Sequence, residues 1–108
     1  MSKIKYNKLV RDNIPKLISS DSKKCKIKQV YGEKKLNYLC QKLLEESEEF
    51  IETKTIEELA DIQEVIYAVA KELKITPQEL EETRLAKANA RGSFDLGVVL
   101  LEVESRNK

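Results

Sequence analysis

The chain has no histidine and no tryptophan, and only two cysteines, two prolines and three glycines in 108 residues. Without imidazole there is no histidine-based triad, no His–Cys zinc site and no histidine acid–base chemistry. Any hydrolytic chemistry must rest on carboxylates, amines, guanidinium groups and bound metal. Cys25 and Cys40 form no recognisable disulfide framework, nothing at the N-terminus reads as a signal peptide, and no apolar run approaches membrane-spanning length. These absences predict a soluble protein in a reducing, cytoplasmic setting, with free thiols and no membrane partner. An excess of one charge is missing too. Charged residues make up 36% of the chain, yet 20 bases and 19 acids leave a net charge of only +1. With few aromatic residues as well, this argues against a stable nucleic-acid partner.

What the chain does have is acid concentrated in one place. Residues 43–61 read LLEESEEFIETKTIEELAD. Glu45, Glu46, Glu48 and Glu49 end one helical pattern, and Glu57, Glu58 and Asp61 open the next after a Thr-Lys-Thr connection. Two antiparallel helices joined by so tight a turn place their facing carboxylates near one another. Such a cluster is costly unless a cation or a proton settles it. The stretch therefore reads as a divalent-metal site.

The helical periodicity sharpens this. From about residue 33 to about residue 52, Leu36, Leu39, Cys40, Leu43, Ser47 and Phe50 recur at helical spacing. Glu46 falls at the edge of that stripe with Glu49 next to it, while Glu45 and Glu52 point away. Thr55-Ile-Glu-Glu58 is a capping box opening a second helix to about residue 74. Its apolar face is Leu59, Ile62, Val65, Ile66, Val69, Ala70 and Leu73, with Glu58 inside the apolar arc and Asp61 on its border. Cap and metal ligand are competing readings of Glu58, since both cannot use the same oxygen. Four carboxylates around a small site suit Mg²⁺ or Mn²⁺, which take hard oxygen ligands and keep waters for substrate phosphates.

Thr76-Pro-Gln-Glu79 opens a third helix that ends at Gly92. Arg84, Lys87 and Arg91 share one of its faces, fit either to pair with acids or to hold polyphosphate oxygens. Near the N-terminus, Asp12 or Asn13 can cap a short turn with Pro15 at its start and Leu17 and Ile18 packing inward. Residues 25–30, CKIKQV, alternate as a strand does, and residues 96–104, LGVVLLEVE, are apolar and β-branched enough to pair with them.

Glu45-Glu46-Ser-Glu-Glu49 followed by Glu58-Leu-Ala-Asp61 resembles the EExxE…ExxD signature of the all-α nucleoside triphosphate pyrophosphohydrolases. Tyr6-Asn-Lys-Leu-Val-Arg-Asp12 with Ile14-Pro15 looks like the YNKLVRDKIP opening of a small MazG-like branch. Lys87-Ala-Asn-Ala-Arg-Gly-Ser-Phe94 is similar to that branch's KxxxRGGF closing segment. Asn13 stands where the pattern has lysine, and Ser93 where it has a second glycine.

The resemblance implies Mg²⁺-dependent hydrolysis of a nucleoside triphosphate to monophosphate and pyrophosphate. By position it makes Glu46, Glu49, Glu58 and Asp61 the metal ligands, with Glu45 able to accept a proton from the attacking water. Lys87 and Arg91, joined by Lys8 and Arg11, become phosphate clamps, while Asp12 orients Arg11 and Arg84 is structural. Two other functions stand beside this one: hydrolysis of phosphoribosyl-ATP, and a non-catalytic helical dimerisation module holding a structural cation. The expected architecture is a single domain over residues 1–108, a mainly α bundle like the all-α pyrophosphatases with a small two-stranded β element. Two long apolar helix faces in so short a chain predict a homo-oligomer whose helices complete a four-helix core.

Overall fold

The computed structural model describes residues 2–106. Four helices follow one another: α1 (Ile14–Ser20), α2 (Gly32–Thr53), α3 (Ile56–Glu72) and α4 (Pro77–Arg91). The chain divides into two compact units, Met1–Thr76 and Pro77–Lys108.

In the first unit α2 and α3 pack against each other as a helical hairpin. Local chemistry fixes the turn. Lys54 closes α2 in the left-handed conformation at φ 53°, with its amide donating to the Phe50 carbonyl at 2.7 Å. Thr55 then caps α3 through its hydroxyl, which accepts from the Glu58 amide at 3.3 Å. Glu57 and Glu58 in the first turn and Lys71 in the last complement the helix dipole. Leu39 of α2 and Val65 and Ala70 of α3 are the buried apolar residues, while Leu36, Leu43, Phe50, Ile62 and Val69 are half-buried.

Much of the expected stripe stays in water. Leu59 and Ile66 on α3 and Leu73 just after it are exposed, as is Cys40 on α2. Ile56, Leu59, Ala60, Ile62, Gln63 and Ile66 line an open apolar groove along α3. On α1, Leu17 is exposed rather than packed inward, and Asn13 precedes the helix without a side-chain capping bond. No described helix is long and apolar enough to cross a membrane.

In the second unit Pro77 opens α4, and Gly92 stops it at φ 84° with its amide bonded to the Ala88 carbonyl at 2.8 Å.

The expected two-stranded β element does not form among the described residues. Residues 25–30 and 96–104 carry strand-like sequence, but alternation supplies only the preference, and a strand exists only when a partner takes up its backbone groups. No backbone–backbone hydrogen bond engages residues 24–30 or 98–106 among the described residues.

Candidate metal centre

The hairpin turn brings the end of α2 against the start of α3, and three carboxylates converge there. Glu46, Glu58 and Asp61 each offer an oxygen such that all three oxygens lie within 4.8 Å of one another. Glu46 is 6% exposed, the sole buried charged residue among those described, and Glu58 and Asp61 are half-buried. Glu46 Oε2 and Glu58 Oε2 are both buried without a hydrogen-bond partner. Orphaned carboxylate oxygens are expensive in a folded chain. Their hard-oxygen chemistry fits a divalent cation such as Mg²⁺ or Mn²⁺.

Protonation is the other way to settle the charges, and the neighbouring acids show its pull. The Glu49 carboxyl is pushed above its usual range by a hydrogen bond to Glu46 and by the negative charges of Glu46 and Glu58. Burial raises the Glu58 carboxyl, and the hydrogen bond and charge of Glu46 raise it further.

Three cations pair with these acids. Lys42, one turn before Glu46 on α2, reaches Glu46 Oε1 at 3.2 Å and Glu45 Oε1 at 3.4 Å. Burial works to lower the Lys42 ammonium, but its bond to Glu46 and the charge of Glu45 hold it above its ordinary value. Lys8 Nζ lies 3.2 Å from Glu45 Oε1, and Arg11 Nη2 lies 2.6 Å from Asp61 Oδ1. Burial would raise the Glu45 carboxyl, but Lys8 and Lys42 together keep it below the usual range. The Arg11 guanidinium is raised by its hydrogen bond to Asp61. Asn7, in the left-handed region at φ 47°, accepts from the Tyr38 hydroxyl at 3.0 Å and ties this segment to α2. Glu45, Glu46, Glu49, Glu58 and Asp61 still outnumber Lys8, Arg11 and Lys42.

The sequence-derived set divides accordingly. Glu46, Glu58 and Asp61 form the cluster, and Glu49 flanks it as an exposed acid next to Glu46. Glu45 is half-buried between two lysines rather than pointing away. Lys8 and Arg11 stand at the acids, where sequence alone made them phosphate clamps. Arg11 takes Asp61 as its partner, the place expected for Asp12. On α4, Lys87 and Arg91 are exposed residues of the second unit, and Arg84 makes a two-point bond with Glu81 of its own helix at 2.7 and 2.6 Å. For Glu58, Thr55 caps α3 by accepting from the Glu58 amide, so the carboxylate of Glu58 is left at the cluster.

Lys42 was missed in the sequence. Its signal was there: lysine three and four residues before Glu45 and Glu46 shares their helical face. The Asn7–Tyr38 bond had no such signal, because it joins a loop to a helix 31 residues away.

Comparison of the chain with known protein families, with curated proteins and with solved structures returns no match, so the likeness to the all-α pyrophosphohydrolases rests on the motifs themselves.

Proposed function

We propose that this chain hydrolyses nucleoside triphosphates at the α–β linkage, releasing monophosphate and pyrophosphate, with Mg²⁺ as its cofactor. The observation that carries the reading is the convergence of Glu46, Glu58 and Asp61 with two buried carboxylate oxygens that have no partner. Glu46, Glu58 and Asp61 would hold the cation, with Glu49 beside them. Held by these carboxylates, the cation would supply Lewis-acid chemistry, offsetting phosphate charge and lowering the pKa of water.

The chain's own groups account for the rest. Glu45, kept ionised by Lys8 and Lys42, is available to take a proton from water. Lys8 and Arg11 each spend one contact on an acid and retain further donors for phosphate oxygens. Lys87 and Arg91 join the phosphate-binding set by the resemblance. Phosphoribosyl-ATP is an alternative substrate with the same bond to cleave. The open apolar groove on α3 supports a homo-oligomer built on helix faces.

One observation favours the non-catalytic module: Lys8, Arg11 and Lys42 already pair with the acids, as they would in a purely structural centre. A panel of common and modified nucleoside triphosphates, incubated with Mg²⁺ or with EDTA, separates the readings. Monophosphate and pyrophosphate, lost with EDTA, are the expected products. Diphosphate and orthophosphate would place attack at the wrong phosphorus. No turnover on any substrate, with Mg²⁺ binding intact, would favour the module.

A further inference from the structure

The most exposed apolar segment of the chain is not on a helix. Leu96, Val98, Val99, Leu100, Leu101 and Val103 are each at least 77% exposed, with Leu101 at 88%. A run of this kind with unused backbone groups is a strand awaiting a partner. Residues 24–30, KCKIKQV, are a second such segment, with Ile27 63% exposed. Neither residues 24–30 nor residues 98–106 enter a backbone–backbone hydrogen bond among the described residues.

We propose that residues 100–104 of one copy pair with residues 26–30 of a second copy as antiparallel strands, Lys28 standing opposite Glu102. This register sets Lys26 across from Glu104, Lys28 from Glu102 and Val30 from Leu100 on one face. On the other, Ile27 meets Val103 and Gln29 meets Leu101. Two opposite-charge pairs and two apolar pairs therefore fall together, with one mixed pair, and a shift by one residue would break both charge pairs and set Ile27 against a glutamate. The lysine-rich segment has no acid of its own, and the apolar segment has no base before Arg106. Each is thus a poor partner for its own copy in another molecule and a good one for the other segment. Glu102 and Glu104 also disfavour an anionic lipid surface as the occupant. Because every copy carries one segment of each kind, two copies can pair reciprocally.

The test uses the full chain with Cys25→Ser and Cys40→Ser. One preparation carries Gln29→Cys and the other Leu101→Cys, and the two are mixed with a short thiol-to-thiol crosslinker. The expected product is a mixed dimer of twice 12.4 kDa. Lys28→Glu in the first copy should lower its yield about fivefold, the size of a cross-strand charge pair, and Glu102→Lys in the second should restore it. Neither segment lies in a helix, so unchanged helical circular dichroism confirms that the variants fold. Three results would overturn the proposal. The mixed dimer could be absent. Its yield could match that from Lys16→Cys on α1 paired with Leu101→Cys. Or a third preparation carrying both Gln29→Cys and Leu101→Cys could crosslink only within its own chain.

Discussion

Arg11 holds Asp61 at 2.6 Å across 50 residues of sequence, joining the N-terminal loop to the first turns of α3 at the acidic cluster. The guanidinium neutralises one of the three converging carboxylates and keeps donors to spare. Arg11→Ala should therefore separate two effects. Without substrate, Mg²⁺ should bind about two- to fivefold tighter, because Asp61 loses a competing cation at a partly exposed site. With substrate, KM should rise as a phosphate ligand is lost. Calorimetric Mg²⁺ titration and steady-state kinetics read the two separately. Weaker Mg²⁺ binding would mean that Arg11 positions Asp61 rather than competing for it.

Lys42 is the partner that makes a buried Glu46 tolerable. Lys42→Met should destabilise the metal-free chain by about 2 kcal/mol in urea unfolding, since Glu46 would be left with no paired oxygen. Mg²⁺ should recover more stability in this variant than in the wild type. Equal stability of the two metal-free proteins would contradict the assigned pairing.

The pH dependence follows from opposite shifts. Glu49 and Glu58 titrate above the usual carboxylate range, so their contribution is fully present below the ordinary carboxylate pKa and is lost as pH rises through the raised values. Glu45 is shifted down, so its contribution is present above the ordinary value and is lost as pH falls through the depressed one. In EDTA, wild type should lose stability relative to Glu46→Gln as pH rises from about 4.5 to about 7.5, because the neutral amide of that variant would not repel the neighbouring acids. Mg²⁺ should raise the wild-type Tm at the upper pH and barely at the lower. A Tm gain from Mg²⁺ that is independent of pH would contradict a carboxylate site.

The turn that aims the cluster is open to a separate check. Thr55→Ala removes the α3 cap and should cost about 1 kcal/mol. Lys54→Gly relieves a left-handed lysine and should stabilise by about the same amount. Thermal unfolding of the two variants should move in opposite directions, and a shift of the same sign in both would contradict this account of the turn.

How much of this was legible in the sequence depended on distance along the chain. The α2–α3 hairpin and the capping role of Thr55 were readable because helical period and capping boxes are local signals. Glu46 was readable as an inward acid from its place at the edge of an apolar stripe, though its near-complete burial needed the packing of α3. The α3 boundary fell two residues short of the expected one, because Lys74 turns left-handed at φ 61°. The β element failed because strand propensity in residues 25–30 and 96–104 says nothing of which backbone each meets. The Arg11–Asp61 and Lys8–Glu45 pairs were unreadable as contacts, since nothing local carries a loop 37 to 50 residues along the chain to its acids.

The most direct measurement is a Mn²⁺ titration, followed by electron paramagnetic resonance of the free ion, on wild type, Glu46→Gln and Asp61→Asn. The account predicts saturable binding in wild type, loss of about tenfold or more in affinity in each variant, and helical circular dichroism unchanged. Wild type that leaves Mn²⁺ free, or variants that bind it as tightly as wild type, would contradict the claim that these carboxylates form a metal centre.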